Sequence, residues 1–423
     1  MRDNGFVPPI GKPLMGAHAM GVGAMVAGLD YFTGYPITPQ TELLEYVSQA
    51  LPEHGGVFQQ LGDEISSIMA IYGAAACGQR VMTASVGPGL TLMIDGLTNA
   101  AGAETPMVLG AITRAHVGVS GGLYPAQSDI RMLKGLGNGD YHLPLLVPDS
   151  ITETAQLTAE AFDLADLYTT PVIVSIDGKM SNMIETLRPF TVPERELPPK
   201  SWSVDLPMTD GGRRLVAAAR FPEVDTMVCY ELQEKYRVMR EREVRFETYL
   251  CDDAEVVVVA YGIMARVARE AVRRARAAGV KAGLFRPITI FPFPEDQLAE
   301  LAAGKRGVLV TEINFGQALV DVKLAVCGRC PVQFLGQPAF PVPASALVEA
   351  IQAVSRGEAV RARTFEDVHP VTGHVASSMA PARRAAFERI AGRTGKSKDD
   401  VQGVVDELLG IRKSTVVKGV GKY

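Results

Sequence analysis

Three polar residues in the first third of the chain stand where their side chains could do chemistry. Thr38 lies between two prolines, and because proline fixes φ, the backbone around this hydroxyl is stiff and can aim it. Glu64 opens an apolar helical segment, and a carboxyl group held among apolar side chains can stay protonated near neutral pH. Arg114 closes the apolar run 107–113, and a guanidinium binds a planar carboxylate through two parallel hydrogen bonds. These residue types could therefore supply an aimed hydroxyl, a proton-holding carboxyl group and an anchor for a carboxylate.

The motifs around these residues occur in an informative order. Gly-Tyr-Pro-Ile-Thr-Pro occupies residues 34–39, Gly-Asp-Glu-Ile occupies residues 62–65 and Thr-Ala-Ser-Val-Gly-Pro-Gly occupies residues 83–89. In this order and spacing they resemble the α subunits of the 2-oxoacid:ferredoxin oxidoreductases, which use thiamine diphosphate to convert 2-oxoacids to acyl-CoA. The resemblance covers most of residues 10–340 and includes Glu-Ile-Asn-Phe-Gly-Gln at residues 312–317.

The resemblance implies roles for individual residues. Glu64 takes the place of the family glutamate that faces the aminopyrimidine ring of the cofactor, while Asp63 fits a carboxylate at a helix N-terminus. Thr38 takes the place of a threonine beside the reacting carbon, where it contacts substrate or cofactor. The alternative for Thr38 is a turn threonine that hydrogen-bonds its own backbone. The residues assigned to cofactor binding are Glu64, Pro36, Ile37 and Gly87.

The segment after Arg114 departs from the family pattern. Arg114, Gln127 and Asp129 fall at the family spacing, but residues 115–126 do not match and contain neither lysine nor arginine. The resemblance therefore implies that Arg114 binds the carboxylate that all 2-oxoacids share. It implies nothing about the rest of the substrate pocket, which depends on residues 115–126.

Those residues favour an apolar substrate. Many relatives have a lysine near the position of Tyr124, where it could pair with the second carboxylate of 2-oxoglutarate. A loop of valine, leucine and tyrosine instead suits an apolar side chain, because tyrosine can stack on a ring. We therefore expect an aromatic or branched-chain 2-oxoacid of the phenylglyoxylate or 2-oxoisovalerate type, with Tyr124 in contact with it. Lys134, Arg131 and His116 are the nearby cations that could change this preference.

Other parts of a thiamine enzyme are missing from this sequence. Thiamine enzymes hold the diphosphate through Mg²⁺ with a Gly-Asp-Gly segment, and that tripeptide does not occur. Cys327 and Cys330 have metal-like spacing, but a zinc or cluster site needs about four ligands, so we favour structural thiols at a helix end. No metal ligand is assigned to this chain. The resemblance implies CoA as co-substrate and a β subunit that supplies Mg²⁺ and diphosphate binding. It also implies a γ subunit, a ferredoxin-like δ subunit with the iron–sulfur clusters, and in some members a flavin or NAD subunit.

The elements that must position these residues follow an α/β pattern. Apolar runs at residues 81–85, 107–111 and 172–176 are typical of parallel strands covered by helices on both faces. Helical spacing over residues 63–76 places the candidate glutamate at a helix start. The fold class predicted is a thiamine-enzyme pyrimidine-type α/β domain, followed by a transketolase C-terminal-like α/β domain and a helical tail.

Four regions are predicted along the chain. Residues 191–250 contain a charged segment, 230–249, that is helical in pattern, and the tail contains helical patterns at 380–391 and 398–409 and a basic arm at 413–423. The regions are a pyrimidine-side thiamine diphosphate domain at 1–190, a linker with a charged helix at 191–250, a transketolase C-terminal-like domain at 251–360, and a helical tail with an extended arm at 361–423.

Composition excludes several function classes. The chain has 423 residues, a length typical of two or three domains. Its formal net charge of -5 gives no electrostatic attraction for nucleic acid or an anionic membrane. Apolar stretches are broken before the ~20 residues of a spanning helix, and the N-terminus lacks a signal-peptide core. Five scattered cysteines are typical of a reducing compartment, so we expect a cytoplasmic protein.

Three alternatives remain open from the sequence. The chain could be a pyruvate- or 2-oxoglutarate-specific member of the family, or the pyrimidine-side subunit of another thiamine enzyme, such as the β chain of a 2-oxoacid dehydrogenase. It could also be a scaffold or acyl-CoA-binding protein that kept the fold. The joint presence of Glu64, Thr38 and Arg114 favours an enzyme that is catalytic only with partner subunits. The substrate, the final electron acceptor and the subunit stoichiometry stay open.

Overall fold

Contacts group the residues into a unit from Met1–Val360 and a second from Arg361–Tyr423. The helices and the arm predicted for the tail lie outside the described residues, as does Tyr124. The computed structural model describes residues 4–114, 126–135, 137–204, 222–363 and 367.

Strands and helices alternate through the first unit. The strands are β1 (Pro13–Met15), β2 (Tyr31–Gly34), β3 (Val57–Gln60), β4 (Val81–Val86), β5 (Met107–Thr113), β6 (Leu145–Leu146), β7 (Pro171–Asp177), β8 (Ile184–Thr186), β9 (Phe246–Tyr249), β10 (Val256–Val259), β11 (Ala282–Pro287), β12 (Thr289–Phe291), β13 (Gly307–Glu312) and β14 (Val332–Gly336). The helices are α1 (Gly16–Val26), α2 (Thr41–Glu53), α3 (Glu64–Ala76), α4 (Gly87–Gly102), α5 (Ile130–Lys134), α6 (Ile151–Tyr168), α7 (Gly178–Asn182), α8 (Pro222–Arg242), α9 (Gly262–Ala277), α10 (Glu295–Ala302), α11 (Leu319–Val326) and α12 (Ala344–Ser355).

The larger sheet has seven strands in the order β12-β6-β7-β5-β4-β2-β3. The strands from β6 to β3 run parallel. β4, β5 and β7 are buried along their whole length, which is why their sequences are continuous apolar runs. Helices α1, α2 and α6 contribute to one apolar core, and helices α3 and α4 contribute to a second one. The prediction of a parallel sheet between helices is confirmed.

One edge of this sheet collects the candidate site. In parallel strands all carboxyl ends meet at the same edge, and functional groups of α/β proteins lie in the loops that leave this edge. The segments leaving β2, β3, β4 and β5 carry Thr38, Glu64, Gly87 and Arg114. The residues selected from separate sequence motifs are therefore brought to one edge by the topology.

The smaller sheet has five strands in the order β14-β13-β10-β11-β9. β14, β13, β10 and β11 are parallel, and β9 is an antiparallel edge strand. Helix α9 begins at Gly262, whose φ of +53° lies in the left-handed region that favours glycine. This glycine allows a sharp turn out of strand β10, so the helix starts soon after the strand ends.

The charged segment at 230–249 corrects one expectation. Helix α8 ends at Arg242, and residues 246–249 form strand β9 instead of continuing the helix. The helix is also not solvated on all sides, because Tyr236 and Met239 are fully buried. Its exposed side carries Arg237 with its ion-pair partners one helical turn away. The alternating charges in the sequence predict the exposed face of this helix, but they give no sign of its buried face.

The two sheets are joined by backbone and by charge. Strand β12 follows the smaller sheet's β11 in sequence, yet it pairs antiparallel with β6 at the edge of the larger sheet. Arg286 of β11 binds both carboxylate oxygens of Glu153 on α6, at 2.7 and 2.8 Å. Because Arg286 is only 5% exposed, this pair is desolvated on the arginine side and fixes the two sheets relative to each other.

The cysteines differ from one another in exposure. Cys251 and Cys330 are buried, as expected for thiols packed as apolar groups, but Cys229 and Cys327 are exposed. Cys327 ends helix α11 in a left-handed conformation, with φ of +45°. The expected helix-end position of this pair is observed, although only Cys330 is packed inside. In the described part of the chain, every helix is too short or too polar to span a bilayer.

Candidate active site

The N-terminus of helix α3 separates two neighbouring carboxylates. Asp63 is the helix cap, and its carboxylate accepts a hydrogen bond from the backbone N–H of Ser66 at 2.6 Å. This hydrogen bond lowers the pKa of Asp63. Glu64 is the first helical residue and is only 5% exposed. The exposed carboxylate therefore serves the helix end, and the buried one remains available for chemistry.

Gly89 makes room for the Glu64 carboxyl group. A methyl group added at Gly89 would lie 2.4 Å from Glu64 Oε1 and 2.1 Å from Ser85 Oγ, so a larger residue there would displace these two side chains. The Ser85 hydroxyl is buried and has no hydrogen-bond partner in the described part of the chain. Buried hydroxyls normally have a partner. An unpartnered hydroxyl beside a buried carboxyl group indicates a site that a polar ligand completes.

Thr38 and Arg114 lie against each other. Arg114 Nη1 donates a hydrogen bond to the carbonyl oxygen of Thr38 at 2.8 Å. The next peptide bond, between Thr38 and Pro39, is cis, and the Pro39 carbonyl accepts from Ser181 Oγ at 3.0 Å. The Thr38 side chain is exposed, and among the described residues none hydrogen-bonds its hydroxyl. The turn thus places an open hydroxyl next to a buried guanidinium.

The remaining cofactor candidates occupy the same edge of the sheet. Pro36 is exposed and Ile37 is half-buried in the turn after β2. Gly87 is buried at the start of α4, where a Cβ atom would lie 3.4 Å from Asp129 Oδ1. Gly87 therefore brings the helix N-terminus close to the segment that follows the Arg114 loop.

Asp129 contacts the backbone of Arg114. Its Oδ2 accepts a hydrogen bond from the backbone N–H of Arg114 at 3.2 Å. Burial raises the pKa of Asp129 to about 6, while the hydrogen bond and charge of Arg114 oppose this rise. Burial also lowers the pKa of Arg114, and the charge of Asp129 opposes that change. A guanidinium nevertheless stays charged in proteins, so Arg114 is a buried cation. Among the described residues, only the Thr38 carbonyl accepts a hydrogen bond from its side chain.

Two of the three nearby cations can be placed. Lys134 is ion-paired with Asp321, and its ammonium group lies 6.0 Å from the centre of the Phe293 ring. Arg131 is exposed on helix α5, and its backbone N–H is bound by the side chain of Gln317. His116 and Tyr124 lie outside the described residues. The lysine that could have received a second substrate carboxylate is already engaged by a protein carboxylate.

Sequence reasoning missed a connection between the two sheets at this site. The sequence marks Gln127 and the segment 312–317 as family matches but assigns neither a structural role. The structure joins them, because the Asn314 side chain donates to the Gln127 carbonyl at 2.8 Å. The sequence shows Gln127 and the segment 312–317 as two separate polar motifs, but only the fold shows that they contact each other.

Comparison with known proteins identifies the family. Residues 22–243 match the family model for the thiamine diphosphate-binding region of pyruvate flavodoxin/ferredoxin oxidoreductases. Residues 254–339 match core domain II of pyruvate:ferredoxin oxidoreductase. The chain belongs to the 2-oxoacid:ferredoxin oxidoreductase family. The predicted family, its α-type subunit and its dependence on thiamine diphosphate are confirmed by these matches together with the individual relatives.

Individual relatives of the family agree with this assignment. Ketoisovalerate oxidoreductase subunit VorB of Methanothermobacter thermautotrophicus is 45% identical over 313 residues, which are 73% of this chain and 88% of the relative. 2-Oxoglutarate synthase subunit KorA of Methanothermobacter marburgensis is 33% identical over 348 residues, which are 76% of this chain and 93% of the relative.

A solved structure supports the fold. The 2-oxoglutarate:ferredoxin oxidoreductase from Magnetococcus marinus, determined with 2-oxoglutarate, coenzyme A and succinyl-CoA bound, superposes with a TM-score of 0.73 at 26% identity. The match covers 82% of this chain and 66% of that chain, so about a third of the solved relative has no counterpart here. A split-gene transketolase at 16% identity, with a TM-score of 0.50, shares the fold alone.

Proposed function

We propose that this chain is the pyrimidine-side subunit of an enzyme that oxidatively decarboxylates a branched-chain 2-oxoacid with CoA. The observation that carries the choice of substrate is the engagement of Lys134 by Asp321. Together with a loop, residues 115–126, that contains no lysine or arginine, this pairing leaves the Arg114 side of the site poor in cations for a second carboxylate. An apolar substrate side chain requires no such cation.

The relatives support the same choice. The relative at 45% identity is named a ketoisovalerate oxidoreductase subunit, and the one at 33% identity is named a 2-oxoglutarate synthase subunit. Hydrophobic pockets distinguish substrates that differ by a methylene group by only about 1–3 kcal/mol, so we expect a preference among apolar 2-oxoacids and not strict exclusion.

The residues present fit the pyrimidine half of thiamine diphosphate. A polar recess beside a helix start is formed by the buried carboxyl group of Glu64, the clearance left by Gly89 and the hydroxyl of Ser85, which has no hydrogen-bond partner among the described residues. When bound, the cofactor supplies the carbon nucleophile for decarboxylation. Glu64 would hold and return a proton at its carboxyl oxygen, Pro36, Ile37 and Gly87 would line the cofactor, and Thr38 would orient the reacting groups.

Arg114 would bind the carboxylate of the 2-oxoacid. Among the described residues its guanidinium donates one hydrogen bond, to the Thr38 carbonyl, and its other N–H groups could make a bidentate contact. Its burial strengthens that contact, since an ion pair in a partly desolvated site is screened less than one at the surface. The same contact would place the substrate next to the Thr38 hydroxyl.

An apolar surface beside Glu64 supports a partner at this site. Ile65 and Met69 lie one turn apart on α3, and Leu92 lies on the neighbouring helix α4. These three side chains, named the site-rim patch, are 44–50% exposed. Apolar surface of this kind marks interaction sites. We propose that the β subunit, which would supply Mg²⁺ and diphosphate binding, covers the site-rim patch, with a γ subunit and a ferredoxin-like δ subunit completing the enzyme.

A substrate panel tests this function on the reconstituted complex. We expect kcat/KM to be highest for 2-oxoisovalerate, lower for pyruvate and phenylglyoxylate, and lowest for 2-oxoglutarate. A preference for 2-oxoglutarate would refute the branched-chain assignment. It would point to Arg131 or to a partner subunit as the site of the second carboxylate.

A further inference from the structure

A fully buried carboxylate organises the loops that lead from the smaller sheet to the candidate site. Glu312 Oε2 accepts hydrogen bonds from the Tyr261 hydroxyl at 2.8 Å and from Asn314 Nδ2 at 2.9 Å. Its two oxygens also accept the backbone N–H groups of Ala318 and Leu319, each at 3.0 Å. A buried carboxylate is tolerated only when such donors surround it. Glu312 therefore fixes the orientation of its neighbours.

Asn314 links Glu312 to the larger sheet through hydrogen bonds. Its Oδ1 accepts the backbone N–H groups of Gly316 at 2.7 Å and Gln317 at 3.0 Å, which determines the orientation of the amide. Its Nδ2 has two hydrogens, and these reach Glu312 at 2.9 Å and the carbonyl oxygen of Gln127 at 2.8 Å. One amide thus connects the buried carboxylate with the segment behind Arg114.

Gln127 is held on all sides by the smaller sheet. Its Nε2 donates to the carbonyl oxygen of Tyr261 at 2.9 Å, and its Oε1 accepts the backbone N–H of Ile313 at 3.1 Å. Its own backbone N–H donates to the carbonyl oxygen of Ile313 at 3.1 Å. Because Gln127 is only 2% exposed, these bonds are shielded from water, and the position of the residue is well determined.

From Gln127 two contacts lead to the arginine. On one side, the Thr113 hydroxyl donates to the carbonyl oxygen of Ala126 at 2.6 Å. On the other side, Asp129 accepts the backbone N–H of Arg114 at 3.2 Å. The end of strand β5, where the arginine stands, is therefore bound to the segment on both sides of Gln127.

We propose that Asn314 is a positioning residue, which acts through Gln127 and Asp129 to place Arg114 for the substrate carboxylate. The inference rests on the proposed role of Arg114 as carboxylate anchor. A bidentate contact depends on the position of the guanidinium, because even a small displacement removes the alignment of its two N–H groups. Asn314 would thereby make substrate binding depend on the smaller sheet, which does not itself carry the predicted catalytic residues.

The test uses Asn314→Asp in the reconstituted complex. This change keeps the shape and Oδ1 but removes both donated hydrogen bonds, and it places a second acceptor against Glu312. We expect the KM for the 2-oxoacid to rise about tenfold, the scale of leaving buried acceptors unpaired. The KM for CoA, the affinity for thiamine diphosphate and subunit assembly should stay unchanged. Asn99→Asp, at an exposed position on α4, is the matched control and should change none of these.

A double-mutant cycle with Arg114→Lys separates positioning from a general structural effect. If Asn314 acts through Arg114, Asn314→Asp should raise the 2-oxoacid KM less than about twofold in the lysine background. Equal effects in both backgrounds would overturn the inference and leave the role of Arg114 intact. An unchanged 2-oxoacid KM in Arg114→Lys alone would instead overturn the carboxylate anchor itself, and the inference with it.

A second variant covers the case in which Asn314→Asp does not fold. Gln317 is half-buried, donates to the Ser128 carbonyl and accepts the backbone N–H of Arg131, so it holds the same segment from outside. Gln317→Met should raise the 2-oxoacid KM in the same selective way. A uniform loss of activity toward both the 2-oxoacid and CoA, or no change at all, would count against positioning.

Discussion

Glu64 and Asp63 are adjacent carboxylates with opposite surroundings, and this difference predicts opposite sensitivities. Glu64→Gln keeps the shape but cannot release a proton, so turnover of the assembled complex should be lost while assembly persists. Asp63→Asn should be mild, because asparagine is also a good helix cap and the lost charge stands at an exposed helix terminus, where water screens it. Steady-state rates and thermal unfolding measure both effects. Similar losses of turnover in the two variants would show that the catalytic carboxylate is misassigned.

Arg114 and Tyr124 should differ in the kind of specificity they provide. Arg114→Lys should weaken all 2-oxoacids alike, because a point charge cannot reproduce the bidentate contact to their common carboxylate. Tyr124→Ala should change the ratio between substrates, and should disfavour aromatic and branched 2-oxoacids relative to pyruvate by about 1–3 kcal/mol. The measurement is kcat/KM across the same substrate panel. A substrate-dependent effect of Arg114→Lys would contradict the division of roles.

At the scale of elements, the segment that contains α5 should respond to pH through Asp129. Burial raises the pKa of Asp129 to about 6, above the value of 3.8 for a free aspartate. The folded protein therefore keeps this proton at pH values where the unfolded chain has lost it. Protonated Asp129 makes its full contribution to the free energy of unfolding below about pH 4. This contribution declines by up to about 3 kcal/mol as the pH rises from about 4 to about 6.

Asp129→Asn removes this titration. The thermal midpoint of the variant should fall less between about pH 4 and pH 6 than that of the native chain, and above about pH 6 the variant should unfold at the higher temperature. Asp63→Asn is a control of opposite sign, because the pKa of Asp63 is lowered and its stabilising contribution is lost as pH falls. Parallel curves for the native chain and Asp129→Asn would show that Asp129 ionises freely in the folded protein.

The elements that the sequence predicts well are those with uniform surroundings. β4, β5 and β7 are buried on both faces, so their composition alone marks them. Strand β9 was missed because its partly exposed residues continue a charged segment, and only pairing with β11 makes it a strand. Local composition cannot show such a partner, which lies more than thirty residues away along the chain.

The candidate site shows the same limit. Glu64, Thr38 and Arg114 stand in local motifs, so their types and neighbours sufficed to select them. The bond from Asn314 to Gln127 joins residues 187 positions apart, and no local pattern encodes it. Lys134 was a candidate cation from its sequence position, and only its pairing with Asp321 shows that it is engaged.

At the scale of the whole molecule, the site-rim patch predicts dependence on a partner. The isolated chain should bind thiamine diphosphate weakly and contain no stoichiometric iron, since it lacks the Gly-Asp-Gly motif and a second cysteine pair. Met69→Asp should weaken binding of the β subunit by about tenfold or more, the scale of a central apolar contact in an interface. Ile184→Asp, at a residue that is 63% exposed on β8, is the control. Calorimetry and analytical ultracentrifugation would measure these changes, and full-affinity cofactor binding by the lone chain would oppose the proposal.

Strand β12 lies in the second half of the chain but pairs with β6 in the sheet of the first half, and this limits how the gene can be divided. The first family match ends at residue 243 and the second begins at residue 254, so this interval is the obvious place to separate the chain into two halves for expression. A fragment cut there would lose β12 and leave the short strand β6 as an uncovered edge, with free N–H and C=O groups that can pair with another copy. The second half would in turn carry a strand without a sheet. Evolutionary fission or fusion of this protein, like its dissection in the laboratory, must therefore keep the two halves in one polypeptide or provide a substitute for that strand.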